Sequence, residues 1–210
     1  MKSALIKLAV RSALLATFFI TTSSAALLTI TFSSSATGTI GDRTFTGANF
    51  TITALANSAN AVPLSSLNPI FPTSTTILQH DSAKIDIAGL GIFDLITPTS
   101  TIVASDVGVA IFSRFPGGGD LISGLQNGAL QNYLLDSSIG PVTDPNITIF
   151  QWNTGTLINT SGGILIMETS RDTVGGTFQV VASDSAIPEP ATAALILPAL
   201  FLLARFRYRG

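Results

Sequence analysis

The sequence predicts an all-β protein built as an antiparallel β-sandwich, and three observations lead to this fold class. Apolar and polar residues alternate with a period of two along many short segments, as in half-buried strands. Turn-forming pairs rich in Gly, Pro, Asn and Asp separate these segments. Charged residues make up only 10% of the chain, and Ser, Thr, Asn and Gly supply the polar surface instead. The spacing indicates about eight to eleven strands, and a jelly roll is one topology that fits it.

The first predicted strand is the clearest, because Leu28, Ile30 and Phe32 alternate with threonines. Residues 147–152 and 164–167 carry apolar residues on both faces, which is typical of central strands. Only residues 125–135 favour a short helix, which Gly128 weakens. The other strands are expected around residues 50–53, 85–87, 107–111 and 178–182. The turns are expected at Gly41-Asp42, Asn68-Pro69, Thr97-Pro98, Gly117 to Asp120, Gly140-Pro141, Asp144-Pro145, Gly162-Gly163 and Gly175-Gly176.

The C-terminal end of the sequence, residues 187–210, has three parts in a fixed order. Pro188, Glu189 and Pro190 come first, and their prolines favour an extended, exposed segment. Residues 191–204 are apolar and span about 21 Å as a helix, which is marginal for a transmembrane helix in a hydrocarbon core of about 30 Å. Three arginines follow and should hold that end on the cytoplasmic side of a membrane: Arg205, Arg207 and Arg209.

This order resembles the PEP-CTERM sorting signal of Gram-negative bacteria, which it matches over 23 of the 210 residues. The resemblance implies a partner, the exosortase, which is a membrane-embedded, transpeptidase-like processing enzyme of organisms that export polysaccharide. Residues 37–53 resemble the beginnings of uncharacterised exported domains associated with the same family, and this second resemblance implies no activity. A plain tail anchor is the alternative, and it would need neither the triplet nor an export signal.

The N-terminal end of the sequence predicts such an export signal in residues 1–26. Lys2, Lys7 and Arg11 form a basic region, and residues 13–20 form a short apolar core. Small residues follow as far as Ala26 and fit signal peptidase, so the mature chain is expected to start at Ala26 or Leu27. Residues 27–186 then remain as one exported domain of sufficient length to bury a core.

Composition excludes several functions for this domain. Residues 27–204 contain four basic and twelve acidic residues, a net charge of −8, which argues against binding to nucleic acid or anionic lipid. The chain has no cysteine, which excludes thiol catalysis and Cys-ligated metals. No cofactor is expected. Gly117 to Gly119 lack the Lys-Ser or Lys-Thr of a phosphate loop.

His80 is the only histidine, and Asp81 and Ser82 follow it. Members of a catalytic triad converge in space rather than in sequence, and no Gly-x-Ser-x-Gly motif is present. One histidine without cysteine also cannot supply a usual zinc site. The sequence therefore predicts that His80 is a solvent-facing residue at the end of a strand, with no catalytic role.

Aspartates are the remaining candidates for chemistry. Asp81 with Asp86, or Asp94 with Asp106, could form a glycosidase pair, although single aspartates usually serve turns. Calcium could bind at Asp120 beside the glycines, or at Asp144 with Asn146. If exposed, Trp152 and Tyr133 could stack on sugar rings, although burial of such a ring in a sandwich is more frequent.

Two functional classes are compatible with these features of the sequence. The favoured hypothesis is a structural or binding protein of the cell surface or exopolysaccharide matrix that performs no catalysis. The alternative is a secreted glycosidase or lyase that uses carboxylates and acts on matrix polysaccharide. A cleft that holds two carboxylates about 5 to 9.5 Å apart would favour the glycosidase.

Overall fold

The computed structural model describes residues 25–115, 120–149, 157–168 and 174–183, and these residues form β-strands joined by short turns. The prediction of an all-β fold is confirmed. The predicted signal peptide, the sorting signal, Trp152 and Gly117 to Gly119 lie outside the described residues. The thirteen described strands are β1 Leu27–Ile40, β2 Arg43–Asn57, β3 Val62–Pro63, β4 Thr75–Gln79, β5 Ser82–Ile87, β6 Gly91–Asp94, β7 Thr99–Ala104, β8 Val109–Arg114, β9 Asp120–Gln126, β10 Ile139–Ile149, β11 Ile158–Thr160, β12 Gly163–Met167 and β13 Val174–Ser183.

All pairings between these strands are antiparallel. Eleven strands form one continuous path in the order β3-β4-β7-β8-β9-β10-β13-β1-β2-β5-β6, and β11 and β12 lie off this path. β10 connects the two halves of this path. Its end pairs with β9 through Thr148 and Ile149, whereas its earlier residues pair with β13. We call the strands on the β13 side layer A and those on the β9 side layer B.

The two layers pack face to face around a shared core. Along β1, every second residue from Leu28 to Phe32 is buried, as the alternation in the sequence predicts. The Phe32 ring of layer A lies edge-on to Phe112 of layer B, with 5.7 Å between ring centroids. Phe178 of β13 completes the group, its ring centroid 4.7 Å from that of Phe32. The described domain is therefore sandwich-like.

β1 and β2 form the longest hairpin, and both strands continue past the residues that pair with β13 and β5. Between the pairs Ala36↔Ala48 and Gly38↔Phe45, β2 has one residue more than β1, so the ladder contains a bulge. Gly47 at this bulge has a φ of 55°, a left-handed conformation that glycine adopts without strain, and its N–H donates to Thr37 Oγ1. The bulge bends the hairpin at the point where β1 exchanges β13 for β12 as its neighbour.

The far end of the hairpin belongs to a closed ring of pairings. β12 pairs with β1, β11 pairs with β12, and Thr160 of β11 bridges to Leu95, directly after β6. Gly38 is required where β12 crosses β1, because an added Cβ would collide with the carbonyl oxygen of Ile166. This end of layer A therefore has no long open edge among the described strands.

Several details of the predicted elements are wrong. The described residues form thirteen strands rather than eight to eleven, and the turns expected at Gly140-Pro141, Asp144-Pro145 and Gly175-Gly176 lie within β10 and β13. Residues 125–135 form no α-helix, since β9 continues to Gln126 and only a 3-10 turn follows at Gly128–Leu130. Residues 164–167 are not buried on both faces: Ile164 and Ile166 are 39% and 45% exposed, because β12 covers the ring end of layer A with one face only. Val107 lies in a turn, and β8 begins at Val109.

The aromatic contacts between the layers predict an unequal response to two truncations. Phe112→Ala removes a fully buried ring and should lower the free energy of unfolding by about 3–5 kcal/mol. Ile92→Ala, at a side chain that is 61% exposed, should change it by no more than about 0.5 kcal/mol. Urea unfolding followed by circular dichroism measures both values. An equal loss in the two variants would contradict the described core.

Candidate functional site

His80 lies where the chain crosses from layer B to layer A. β4 of layer B ends at Gln79 and β5 of layer A begins at Ser82, so only two residues make the crossing. The His80 N–H donates to the carbonyl of Thr99 in layer B at 3.0 Å, whereas the next N–H, of Asp81, donates to Leu55 in layer A at 2.8 Å. Neighbouring residues are thus bonded into different layers, and the imidazole is placed at the corner between them.

The imidazole of His80 is buried at this corner, with only 7% of the residue exposed. Nδ1 lies 2.8 Å from Thr99 Oγ1 and Nε2 lies 2.9 Å from Thr101 Oγ1. A neutral imidazole has one donor and one acceptor nitrogen, and hydroxyls can serve either role, so both nitrogens are satisfied without charge. The ring also stacks on Phe112, with 5.2 Å between centroids.

The prediction that His80 faces solvent is therefore wrong. The crossing between layers turns its side chain inward, and burial lowers the pKa of the imidazole to about 3. Both ring nitrogens contact threonine hydroxyls rather than Asp81 or Ser82. The side chain therefore acts as a neutral structural group at the corner. The local sequence did not indicate this burial, because His80 stands at the end of a strand next to the charged Asp81.

The four aspartates proposed as glycosidase pairs are all exposed, and the structure brings together a different pair. The register places Lys84 opposite Asp94, so Asp86 and Asp94 occupy diagonal positions on neighbouring strands of layer A. They stand on the open sheet face, and neither lines a described groove. Asp106 instead accepts a hydrogen bond from the adjacent N–H of Val107, as a turn residue does.

Asp144 uses both carboxylate oxygens inside the protein. Oδ2 accepts the N–H of Gln126 in β9 at 2.7 Å, and Oδ1 accepts the N–H of Asn146 at 2.8 Å. The residue is 8% exposed and joins β9 to β10 where the β10 register shifts. These bonds give Asp144 a structural role. Within the described ranges, no cluster of three or more His, Cys, Asp or Glu residues could hold a metal ion.

Tyr133 is not available for stacking on a sugar. It is 7% exposed, and its hydroxyl donates to the carbonyl of Ser137 at 2.7 Å. Burial, with a smaller contribution from Asp136, raises the pKa of the phenol well above its ordinary value. The hydroxyl therefore stays protonated and fixes the turn before β10.

The outer face of layer A carries hydroxyl side chains in cross-strand register. A groove of about 590 Å³ crosses β10, β13, β1 and β2 on this layer, and we call it the hydroxyl groove. Its Ser33 and Thr51 hydroxyls lie 3.0 Å apart. Its surface offers hydrogen bonds over a broad, shallow area. One register row on this layer consists of Thr143, Thr177, Ser33, Thr51 and Asp86.

A second groove, of about 650 Å³, lies beside the corner at His80, and we call it the corner groove. The segment between β2 and β4 forms one wall, where Leu64 packs on Ile77 and Ile102 and thereby anchors the segment to the outer face of layer B. This groove could not be predicted from the sequence, because its residues come from separate segments. Its principal lining residues are Asn60, Val62, Leu67, Ile77, Gln79, His80, Asp81 and Phe115.

Comparison of the chain with protein-family models, curated proteins and solved structures gives no significant match. Within the described residues, no helix is long and apolar enough to cross a membrane.

The neutral state of His80 predicts a specific dependence of stability on pH. The unfolded imidazole takes up a proton near its ordinary pKa of 6.5, whereas the folded imidazole does so only near 3. The unfolded state therefore binds more protons between these values, and stability falls as pH decreases from about 6.5 towards 3. The limiting slope is about 1.4 kcal/mol per pH unit. His80→Gln should remove this slope, while the contribution of the carboxylates remains.

Urea unfolding of the wild-type protein and of His80→Gln at pH 7, 6, 5 and 4 measures the difference. Because His80 is the only histidine, no other imidazole contributes. Parallel pH profiles for the two proteins would contradict a buried, neutral His80.

Proposed function

We propose that this protein is exported and acts at the cell surface or in the exopolysaccharide matrix, in a structural or binding role without catalysis. The order of the C-terminal parts is the observation that carries the proposal. Pro188, Glu189 and Pro190, the apolar residues 191–204 and the closing arginines match a PEP-CTERM sorting signal, and residues 1–26 match a signal peptide. The partner implied by this signal is an exosortase-like processing enzyme.

The proposed tail works as a temporary anchor. On this proposal residues 191–204 cross the membrane as a helix of about 21 Å, which is short for a permanent anchor in a core of about 30 Å. Arg205, Arg207 and Arg209 orient it with its C-terminus in the cytoplasm. The Pro-Glu-Pro triplet then stands at the outer face of the inner membrane, within reach of an integral-membrane enzyme. Processing releases residues 27–186 to the surface or matrix.

The described domain supports a role without catalysis through the environment of its polar side chains. His80, Tyr133 and Asp144, the most buried of the candidate residues, are each committed to internal hydrogen bonds. The outer face of layer A instead offers hydroxyl groups in register, which bind neighbours without charge repulsion. A sandwich of this kind suits a crowded, hydrated matrix, and exopolysaccharide is the partner we propose for it.

A secreted glycosidase or lyase is the second candidate. The diagonal position of Asp86 and Asp94 is the observation that favours it, because two carboxylates on one face are the minimum for such chemistry. Against it, the pair stands on an open face with Lys84 opposite Asp94 rather than in a cleft. Shortening of a polysaccharide by the wild-type protein, abolished in Asp86→Asn, would favour this candidate.

The sorting hypothesis predicts two distinct outcomes for changes in the tail. Replacement of Pro188, Glu189 and Pro190 by alanines preserves the apolar helix but removes the processing motif, so unprocessed protein should accumulate at the inner membrane. Deletion of residues 191–210 removes the anchor and should release soluble protein. Intact-mass analysis of the wild-type surface form should show a chain that begins at Ala26 or Leu27 and lacks residues 191–210.

Asp184→Ala with Ser185→Ala is the matched control, because it changes nearby polar residues and leaves the triplet intact. This control should be processed like the wild type. A surface form that still carries residues 191–210, unchanged in a strain without the exosortase, would leave a plain tail anchor and refute the sorting function.

A further inference from the structure

We infer that the corner groove binds a neutral glycan, an inference that rests on the proposed binding role and assigns it a site. The observations that support this site are independent of the sorting signal and of the hydroxyl groove. Its lining combines an uncovered apolar surface with hydrogen-bonding side chains, and each part of that lining restricts the chemistry of the ligand.

The apolar part of the groove comes from two sides. On one side, the half-buried Phe115 packs against the cluster of Leu64, Ile77 and Ile102 in layer B, where Ile77 is 1% exposed and forms the floor of the groove. Val62 and Leu67, on the segment that crosses this layer, are 38% and 53% exposed. Contact with an apolar ligand surface would remove Phe115, Val62 and Leu67 from water, which is favourable in proportion to the area covered. The ligand therefore has at least one apolar face.

The polar part of the groove consists of Asn60, Gln79 and Asp81, whose side chains are exposed. Within the portion of the chain that the structure describes, none of the three makes a side-chain hydrogen bond, so all are available to a ligand. A pure hydrocarbon ligand would leave them desolvated and unpaired, at a cost for each group. The ligand must therefore donate and accept hydrogen bonds at the edge of its apolar face.

Charge narrows the ligand class further. Asp81 is the charged residue of the lining, and no lysine or arginine lies among the lining residues. This carboxylate would repel an anionic ligand, and no cation among the lining residues would compensate for the repulsion. The ligand is therefore expected to be neutral. His80 forms a wall but contributes no free nitrogen, because both nitrogens are bonded to threonines.

A pyranose ring meets all of these conditions. One of its faces presents C–H groups that pack on Leu67 and Phe115, and its hydroxyls donate to Asp81 and exchange hydrogen bonds with the two amides. A volume of about 650 Å³ falls within the range of ligand pockets, about 300–1,000 Å³, and holds a short run of sugar rings. Because Leu67, Gln79 and Asp81 are exposed, the groove can accept a segment within a longer chain.

The test is affinity electrophoresis of the full-length chain in a detergent without a sugar headgroup. Native gels contain dextran, hydroxyethylcellulose or galactomannan as neutral polymers, and alginate as the anionic one. We expect at least one neutral polymer to slow the wild-type protein and alginate to have no effect. Leu67→Ala with Asp81→Asn removes one apolar and one polar contact and should weaken this binding about tenfold or more.

Ile92→Ala with Asp42→Asn is the matched control, since it makes the same kinds of change at exposed positions outside the groove. It should bind like the wild type, and circular dichroism should show all three proteins folded. Failure of every neutral polymer to slow the wild type, equal binding of alginate, or undiminished binding by the groove variant would each overturn the inference.

The same samples separate this inference from the proposed function. If the tail is processed normally but no glycan binds, glycan binding by the corner groove is refuted and the proposal of a sorted surface protein is unaffected. Shortening of the polymer by the wild-type protein would refute the role without catalysis, while loss of binding in the groove variant would still support the groove.

Discussion

The imidazole of His80, whose two nitrogens are bonded to Thr99 and Thr101 of β7, fixes the end of β4 within layer B at the point where the chain crosses to layer A. The crossing takes only two residues, so the backbone has no loop with which to adjust the position of β5 relative to β4. The stacked contact with Phe112 continues through Phe32 to Phe178 and thereby links the corner to both central strands of layer A. Packing of the core and the course of the chain therefore depend on the same side chain.

The corner groove lies beside this crossing. The chain that precedes β4 runs along the outer face of layer B, where Leu64 packs against Ile77. The same crossing brings Gln79 and Asp81 to one end of that segment. A structural histidine and a proposed binding surface thus share one corner, the imidazole facing the core and the neighbouring polar side chains facing solvent.

The all-β class and most strands could be predicted from the sequence, because the alternation in β1, β2 and β5 reports burial of one face directly. The burial of His80 could not, because its cause is a pairing with β7, about twenty residues further along the chain. The same reason explains the exposed face of β12 and the diagonal placement of Asp86 and Asp94. The alternation of apolar and polar residues within a strand indicates which of its faces is buried. Which side chains come into contact depends on the pairing of strands that are distant in the sequence.

The most direct test of the central claim is the titration of the His80 imidazole by NMR, in which the single histidine of the chain gives an unambiguous signal. The account predicts that the ring stays neutral well below pH 6.5 and retains one slowly exchanging N–H, protected by its threonine partner. A titration midpoint near 6.5, with rapid exchange of both ring protons, would show an imidazole in water and contradict the corner on which this description of the fold depends.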